Sequence, residues 1–206
     1  MEEDRLRPPY PPDTRGDMIR VIARPSSQRI LHIDLENRPL AYLGQDFTTG
    51  EITAIAVSWA DSPDVRCWLL GVDPPMMMLQ NFCAFYARAE MVTGHYILRH
   101  DLPLLNGAML EYGLAPLAPV YVSDTKVHLV KRKYLSASQE ALSGMLGLAE
   151  QKHHLSNHDW REANRLTPEG IVATRTRVID DVLQHKALRR ELLLRGALKS
   201  PILWQP

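Results

Sequence analysis

The sequence has little cysteine. Only Cys67 and Cys83 occur among its 206 residues, and they form neither a Cys-x-x-Cys pair nor a ligand spacing with histidine. A disulfide framework needs more cysteines, and a structural zinc site needs four closely spaced ligands. The scarcity of cysteine argues against both and is typical of a reducing compartment, so we expect a cytoplasmic protein.

The sequence also lacks an excess of charge of either sign. Lys plus Arg number 24 and Asp plus Glu number 24, so no overall basic field attracts nucleic acid, and any such binding must come from local patches. Eighteen apolar residues nowhere run together, and the N-terminus has no basic stretch followed by an apolar one. We therefore expect no secretion, no membrane span and no membrane partner.

What is present indicates a globular protein. Apolar residues make up 45% of the chain, which is long enough to bury a core. Residues 1–27 are rich in Pro and charge, and their PPYPP stretch favours polyproline II. We expect a flexible arm at 1–27, one domain at 28–200, and a tail at 201–206 that packs on the surface. Within the arm, a short edge strand at 18–25 is an open alternative.

The pattern of the body predicts an α/β fold. Apolar, β-branched runs at 30–36, 52–60 and 65–72 predict an antiparallel meander of three strands. A helix, the strand MVTGH, a second helix, the strand VYVSDT, a helix around QEALSGMLGL, a polar His-rich loop and a long helix at about 167–195 follow. We therefore predict a mixed five-stranded sheet, with the meander plus parallel strands, flanked by helices.

Two acids interrupt the first strand, HIDLE. Because successive side chains of a strand alternate faces, Asp34 and Glu36 point the same way, with backbones roughly 6 to 7 Å apart. Two negative charges about 4 Å apart repel by on the order of 4 kcal/mol at an effective dielectric near 20. In a strand covered on both faces the pair requires a cation. The alternative is an ordinary solvated pair at a wet strand end.

Further acids occur in two later segments. Asp101 follows the strand MVTG and precedes a helix, where the role of an N-cap is sufficient by itself. Asp180 and Asp181 lie in the long helix among apolar residues, and Asp181 is preferred because it shares a helical face with Arg177. Oxygen ligands of this kind select Mg²⁺ or Mn²⁺.

Four motifs occur in order along residues 29 to about 195: HIDLEN, GHYILRHDLPLL, VSDT and the helical DDVLQHKAL. They resemble the DnaQ-like (DEDD) 3'–5' exonuclease superfamily, to whose most specific motif GHYILRHDLPLL is similar. The resemblance implies an RNase H-like fold and metal-dependent hydrolysis at single-stranded DNA or RNA 3' ends, with DNA favoured. It also implies that two Mg²⁺ or Mn²⁺ ions are held by four catalytic acids: Asp34, Glu36, Asp101 and Asp181.

The chain departs from the superfamily at the residue that orients the attacking water. That residue is a Tyr four positions, or a His five positions, before the last Asp, and here the two places hold Arg177 and Thr176. Arginine is always protonated, so Arg177 could bind a phosphate but not accept a proton. Three explanations stay open: His158 of the loop KHHLSNHDW is the catalytic base, metal activation of water suffices, or the site is degenerate.

The remaining candidates would contact substrate. In the superfamily's Gly-His-Asn pattern, His95 matches the His and Tyr96 stands in place of the Asn. Tyr96 and Trp160 are candidates for stacking on a base. Basic residues that could meet phosphates lie at 131–133 and at Arg161, Arg165, Arg175 and Arg177. We expect partners among replication or repair proteins. An exoribonuclease and a non-catalytic module that binds nucleic acid or protein stay open as alternatives.

Overall fold

The computed structural model describes residues 29–40, 50–130, 134–149 and 154–206. Outside these ranges lie the predicted arm at 1–27, which includes the alternative strand at 18–25, and the basic residues 131–133. None of the described helices is both long and apolar enough to cross a bilayer. The elements in chain order are β1 (Ile30–Pro39), β2 (Gly50–Trp59), β3 (Arg66–Leu69), α1 (Pro75–Tyr86), β4 (Met91–Gly94), α2 (Asp101–Glu111), β5 (Val120–Asp124), α3 (Gln139–Met145), α4 (Asn157–Arg165), α5 (Pro168–Leu194) and β6 (Ile202–Trp204).

The strands form one mixed sheet in the order β3-β2-β1-β4-β5-β6. β1, β2 and β3 pair antiparallel, as the predicted meander requires, whereas β4 pairs parallel with both β1 and β5. A helix, α2, joins β4 to β5, because parallel neighbours need a crossover connection. The predicted mixed α/β fold is confirmed, and β1 lies in the interior of its sheet.

The sheet has six strands, whereas the sequence predicts five. Residues Ile202–Trp204 of the predicted tail form β6, which pairs antiparallel with β5 and places Leu203 opposite Tyr121. This strand is only three residues long and lies between prolines, so its pattern is too short to indicate a strand. Its Trp204 packs against the core, which gives the segment a reason to pair.

The segment predicted as a polar His-rich loop contains a helix, α4. A capping box begins it: Ser156 accepts a hydrogen bond from the backbone N–H of Asp159, and the Asp159 carboxylate accepts one from the N–H of Ser156. The Ser-x-x-Asp spacing was an available signal, although Glu or Gln is the usual partner. The long helix matches its prediction, with Thr167 as the N-cap of α5.

The two faces of β1 differ in polarity. Its odd-numbered residues Leu31, Ile33 and Leu35 belong to the main core, together with buried residues of α1 and α2. Apolar residues of α5 cover the opposite face of the sheet, where they pack against β2. Because strand side chains alternate, Asp34 and Glu36 point toward α5. The central strand therefore carries acids without placing them in the apolar core.

Candidate metal centre

The polar face of β1 meets a polar stripe on α5. The members of this stripe, spaced four residues apart on one helical face, are Arg177, Asp181, His185 and Arg189. At one end of the interface Arg177 bonds to Glu36, and at the other His185 lies 2.9 Å from His32. Asp181 lies between these contacts and is 3% exposed.

Three carboxylates converge in this interface. One ligand oxygen each from Asp34, Glu36 and Asp181 all lie within 4.8 Å of one another. The register between β1 and β2 shifts directly after Glu36, where Thr53 of β2 is skipped, and irregularities of this kind are common beside functional sites. Among the described residues the group contains Asp181 and not Asp180, so the geometry selects the second of the two adjacent acids.

The group suits a divalent ion. Mg²⁺, Mn²⁺ and Ca²⁺ prefer carboxylate oxygens at about 2.0 to 2.6 Å, so ligands of one ion lie within roughly 5 Å of one another. The 4.8 Å spread of the three oxygens meets this condition. Asp181 is buried and its two neighbours are half-buried, and such a group of negative charges is unfavourable without a cation.

Arg177 supplies a cation from within the chain. Its Nε lies 3.1 Å from Oε1 of Glu36 and 3.1 Å from Oδ2 of Asp181, and its side chain is 14% exposed. Its guanidinium carbon lies 5.4 Å from the ring centroid of Trp160 on α4, a cation–π distance. Arg177 therefore offsets part of the negative charge of the carboxylate group.

Asp101 stands outside this group of three. It is the first residue of α2 rather than its N-cap, it is 3% exposed, and its Oδ2 lies 3.4 Å from Nδ1 of His100. Burial raises the pKa of Asp101, and the hydrogen bond to His100 opposes this. The same hydrogen bond raises the pKa of His100, and the negative charge of Glu36 adds to it. His100, which sequence reasoning missed, thus links Asp101 electrostatically to the carboxylate group.

A buried carboxylate fixes the turn that leads to Asp101. Asp124 ends β5 and has no exposed surface. Its oxygens accept hydrogen bonds from four backbone N–H groups, those of Tyr96, Leu98, Lys126 and Val127. Charge-assisted bonds of this kind are stronger than neutral ones. The Asp of the VSDT motif therefore holds the GHYILRHD turn, a tertiary role that the sequence does not display.

The same turn begins with a close approach to β1. A Cβ on Gly94 would lie 2.8 Å from the carbonyl oxygen of Ile33 and closer still to the side chain of Ile97, so only glycine fits. Next along the chain, Nδ1 of His95 lies 2.9 Å from Oγ1 of Thr125. The predicted substrate residue His95 is therefore held against the residue that follows Asp124.

Comparison with known proteins defines the fold. No protein-family profile matches the sequence, and no curated protein matches it. Among solved structures, the chain is similar to a family B DNA polymerase from the hyperthermophilic archaeon Pyrobaculum calidifontis, with a TM-score of 0.62 and 17% identity over 82% of this chain. The fold is RNase H-like. The chain spans only 25% of the length of that polymerase.

On this RNase H-like fold, Tyr96 adopts a strained backbone conformation. Its φ is 73°, a region that most non-glycine residues avoid, and the bond from its N–H to Asp124 helps to hold it there. The Tyr96 side chain is 40% exposed, and Nζ of Lys126 lies 4.1 Å from its ring centroid. A basic and aromatic pair therefore lies on the turn that precedes Asp101.

Other predicted residues lie outside the carboxylate group. His158 is exposed on α4, and within the described part of the chain it has no hydrogen bond or ion pair, so its role as a base stays a prediction. The predicted basic residues that the structure shows to be exposed are Arg161, Arg165 and Arg175. Trp160 contacts Arg177 rather than standing free as a platform.

A buried histidine pair adjoins the carboxylates and was missed from the sequence. Nδ1 of His32 lies 2.9 Å from Nδ1 of His185, and their ring centroids are 5.0 Å apart. Burial holds the pKa of each imidazole well below its usual value, so both are neutral near pH 7. The available signal was positional, because the two histidines lie two and four residues from Asp34 and Asp181.

Proposed function

We propose that the chain is a divalent-metal-dependent 3'–5' exonuclease that removes nucleotides from single-stranded ends, with DNA favoured over RNA. The observation that carries the proposal is the convergence of Asp34, Glu36 and Asp181 from β1 and α5. The order of the four sequence motifs supports it. The likeness to a DNA polymerase over a quarter of its length is in keeping with a nucleic-acid substrate.

In this proposal the chain's acids hold Mg²⁺ or Mn²⁺. Asp34, Glu36 and Asp181 are the first ligands, and Asp101 is the fourth ligand of a two-ion site. Such ions, when bound, activate water and stabilise charge on the attacking and leaving oxygens of a phosphodiester. The chain keeps its ligands in place through β1, α5 and the turn that Asp124 fixes.

Arg177 is proposed to bind substrate. In the described structure its Nε contacts Glu36 and Asp181, and its guanidinium rests against Trp160. Once another cation neutralises the carboxylates, the donors of Arg177 become available for a phosphate oxygen, which a guanidinium binds in a planar, bidentate manner. Because arginine cannot accept a proton, the base is a different group, and His158 remains the proposed candidate.

The terminal nucleotide is proposed to bind against the GHYILRHD turn. Tyr96 offers an exposed ring for stacking on a base, and Lys126 adds positive charge beside that ring. His95, held by Thr125, is the third proposed contact. Stacking tolerates every base, so this end of the site would show little sequence preference. Replication or repair proteins are the proposed partners.

The test uses matched 5'-labelled single strands of DNA and RNA with Mg²⁺ or Mn²⁺. The wild type should produce a ladder of shortened DNA, and Asp34→Asn and Asp181→Asn should lower the rate by roughly 100-fold or more. Asp180→Asn is the matched control, because Asp180 adjoins Asp181 but lies outside the carboxylate group. Equal rates in all three variants would exclude this site, and faster loss of RNA would identify an exoribonuclease.

A second candidate is a non-catalytic module that binds nucleic acid. The ion pairs of Arg177 favour it, because they neutralise part of the carboxylate group without a metal. This candidate predicts oligonucleotide binding that is unchanged by EDTA, with no shortened products at any metal concentration. Gel shift with and without EDTA, beside the cleavage assay, separates the two functions.

A further inference from the structure

A cleft lies beside the C-terminal half of α5, beyond the part of the helix that carries Arg177. It has a volume of about 830 Å³ and opens between the C-terminal half of α5 and residues 60–63, which follow β2. Its basic lining residues are Lys186, Arg189 and Arg190, and its apolar walls include Leu183, Leu193 and Leu194. None of the three converging carboxylates lines the cleft, but His32 does, so the cleft borders the candidate metal centre through the His32–His185 pair.

The described lining of this cleft has three cations and no Asp or Glu, although the charge of Asp61, in the 60–63 wall, acts on Lys186. Lys186 directs its ammonium to neutral acceptors, lying 2.9 Å from Oγ of Ser58 and 2.8 Å from the carbonyl oxygen of Trp59. Arg190 forms a long ion pair of 3.9 Å with Glu191 at the surface. Three cations therefore adjoin one concave surface.

Arg189 is the residue that points most clearly to a ligand. Its Nε is buried and has no hydrogen-bond partner among the described residues. Burial alone lowers its pKa, and no carboxylate near it opposes that shift. A buried donor on a charged group is costly when it is unsatisfied, and it is normally paired in a folded protein. Nε of Arg189 therefore lacks an acceptor among the described residues of the chain.

The chemistry of the lining selects the class of ligand. A guanidinium matches the oxygens of a phosphate, and a lining with three cations and no acid favours a dianion over a single carboxylate. The volume is within the range of small-molecule sites, and the leucines can pack against an organic body. We infer that this cleft binds a small organic phosphomonoester, with Arg189 contacting the phosphate, independently of the proposed nuclease function.

The experiment is a titration of the full chain in EDTA, followed by calorimetry, with deoxyadenosine 5'-monophosphate as the probe. The wild type should bind it with a Kd below about 1 mM, and Arg189→Met should weaken binding at least about tenfold. Arg66→Met, at an exposed arginine of β3 outside the cleft, should change the Kd by less than about threefold, and an equal loss of binding in Arg66→Met and Arg189→Met would overturn the inference. Deoxyadenosine should not bind, and inorganic phosphate should compete with the probe.

Two further arms test the phosphate assignment and the folding of the variant. Succinate should not compete, and stronger binding of succinate than of phosphate would overturn the phosphate assignment. Without ligand, Arg189→Met should have an unfolding midpoint at least equal to that of the wild type, because the substitution removes an unsatisfied charge. If the probe stabilised both proteins equally, the role of Arg189 would be refuted.

Discussion

Arg177→Met tests whether the guanidinium and a metal ion use the same carboxylates. Methionine keeps most of the unbranched stem but removes the guanidinium that contacts Glu36, Asp181 and Trp160. The substitution therefore leaves three clustered carboxylates without their described cation. We expect a less stable chain in EDTA and a higher affinity for Mn²⁺.

The magnitude follows from the contacts. Each charge pair at 3.1 Å is worth on the order of 5 kcal/mol at an effective dielectric near 20, before desolvation is subtracted. Removal of one partner from a buried pair usually costs about 3 to 5 kcal/mol. Because the side chains of Arg177 and Glu36 are each 14% exposed, we expect the free energy of unfolding to fall by about 3 kcal/mol.

The assay is urea unfolding in EDTA and in Mn²⁺, with Mn²⁺ affinity measured by calorimetry. An affinity gain of at least tenfold, about 1.4 kcal/mol, is expected in Arg177→Met, because metal no longer displaces the guanidinium. Arg175→Met, exposed on the same helix, is the control and should change stability by less than about 0.5 kcal/mol. Unchanged stability in EDTA together with unchanged Mn²⁺ affinity would refute the shared use of these carboxylates.

Three other predictions concern the framework of the site. Gly94→Ala should lower the free energy of unfolding by about 2 kcal/mol or more, because its Cβ would meet Ile33 and Ile97. Gly107→Ala is the control: it lies in open space on α2 and should raise the free energy of unfolding by up to about 1 kcal/mol. Urea unfolding compares the two variants, and equal effects would contradict the close approach. Asp124→Asn should cost about 2 kcal/mol or more, since the amide is neutral and has one acceptor oxygen instead of two, so at least one of the four hydrogen bonds is lost and the others weaken. Hydrogen exchange should be faster at Tyr96 and Leu98, and protection equal to wild type would argue against the turn lock. Burial lowers the pKa of His185 below 6.5, so the unfolded chain binds more protons than the folded chain just below that pH. The contribution of His185 to stability should be level above pH 6.5 and fall as the pH drops from 6.5 toward 5, and a slope in this range that is unaltered in His185→Gln would exclude this histidine as its source.

The sequence predicts those parts of the fold in which a hydrophobic pattern extends over many residues. The alternation in HIDLE and the helical spacing around Asp181 were sufficient to place acids on a strand and a long helix, and the structure brings them together. The strand at Ile202–Trp204 is too short for such a pattern. Helix α4 is mostly polar, and its capping box was the main local signal.

The environment of the site is less predictable, because it depends on contacts between distant segments. Nothing local to Asp124 shows that its four donors come from two separate turns. The pairing of His32 with His185 likewise appears only when β1 and α5 pack. Sequence spacing predicts which residues share a face, whereas tertiary packing decides which faces meet.

The arginine at position 177 has a consequence for folding as well as for the proposed catalysis. Asp181 docks onto a strand that already carries Asp34 and Glu36, so α5 would add a third negative charge to the interface. Arg177, one turn earlier on the same helix, brings a compensating cation with it. A neutral tyrosine at that place could orient water but could not offset the charge. The chain can therefore pack β1 against α5 before metal binds, and the group that stabilises this state cannot itself accept a proton from water.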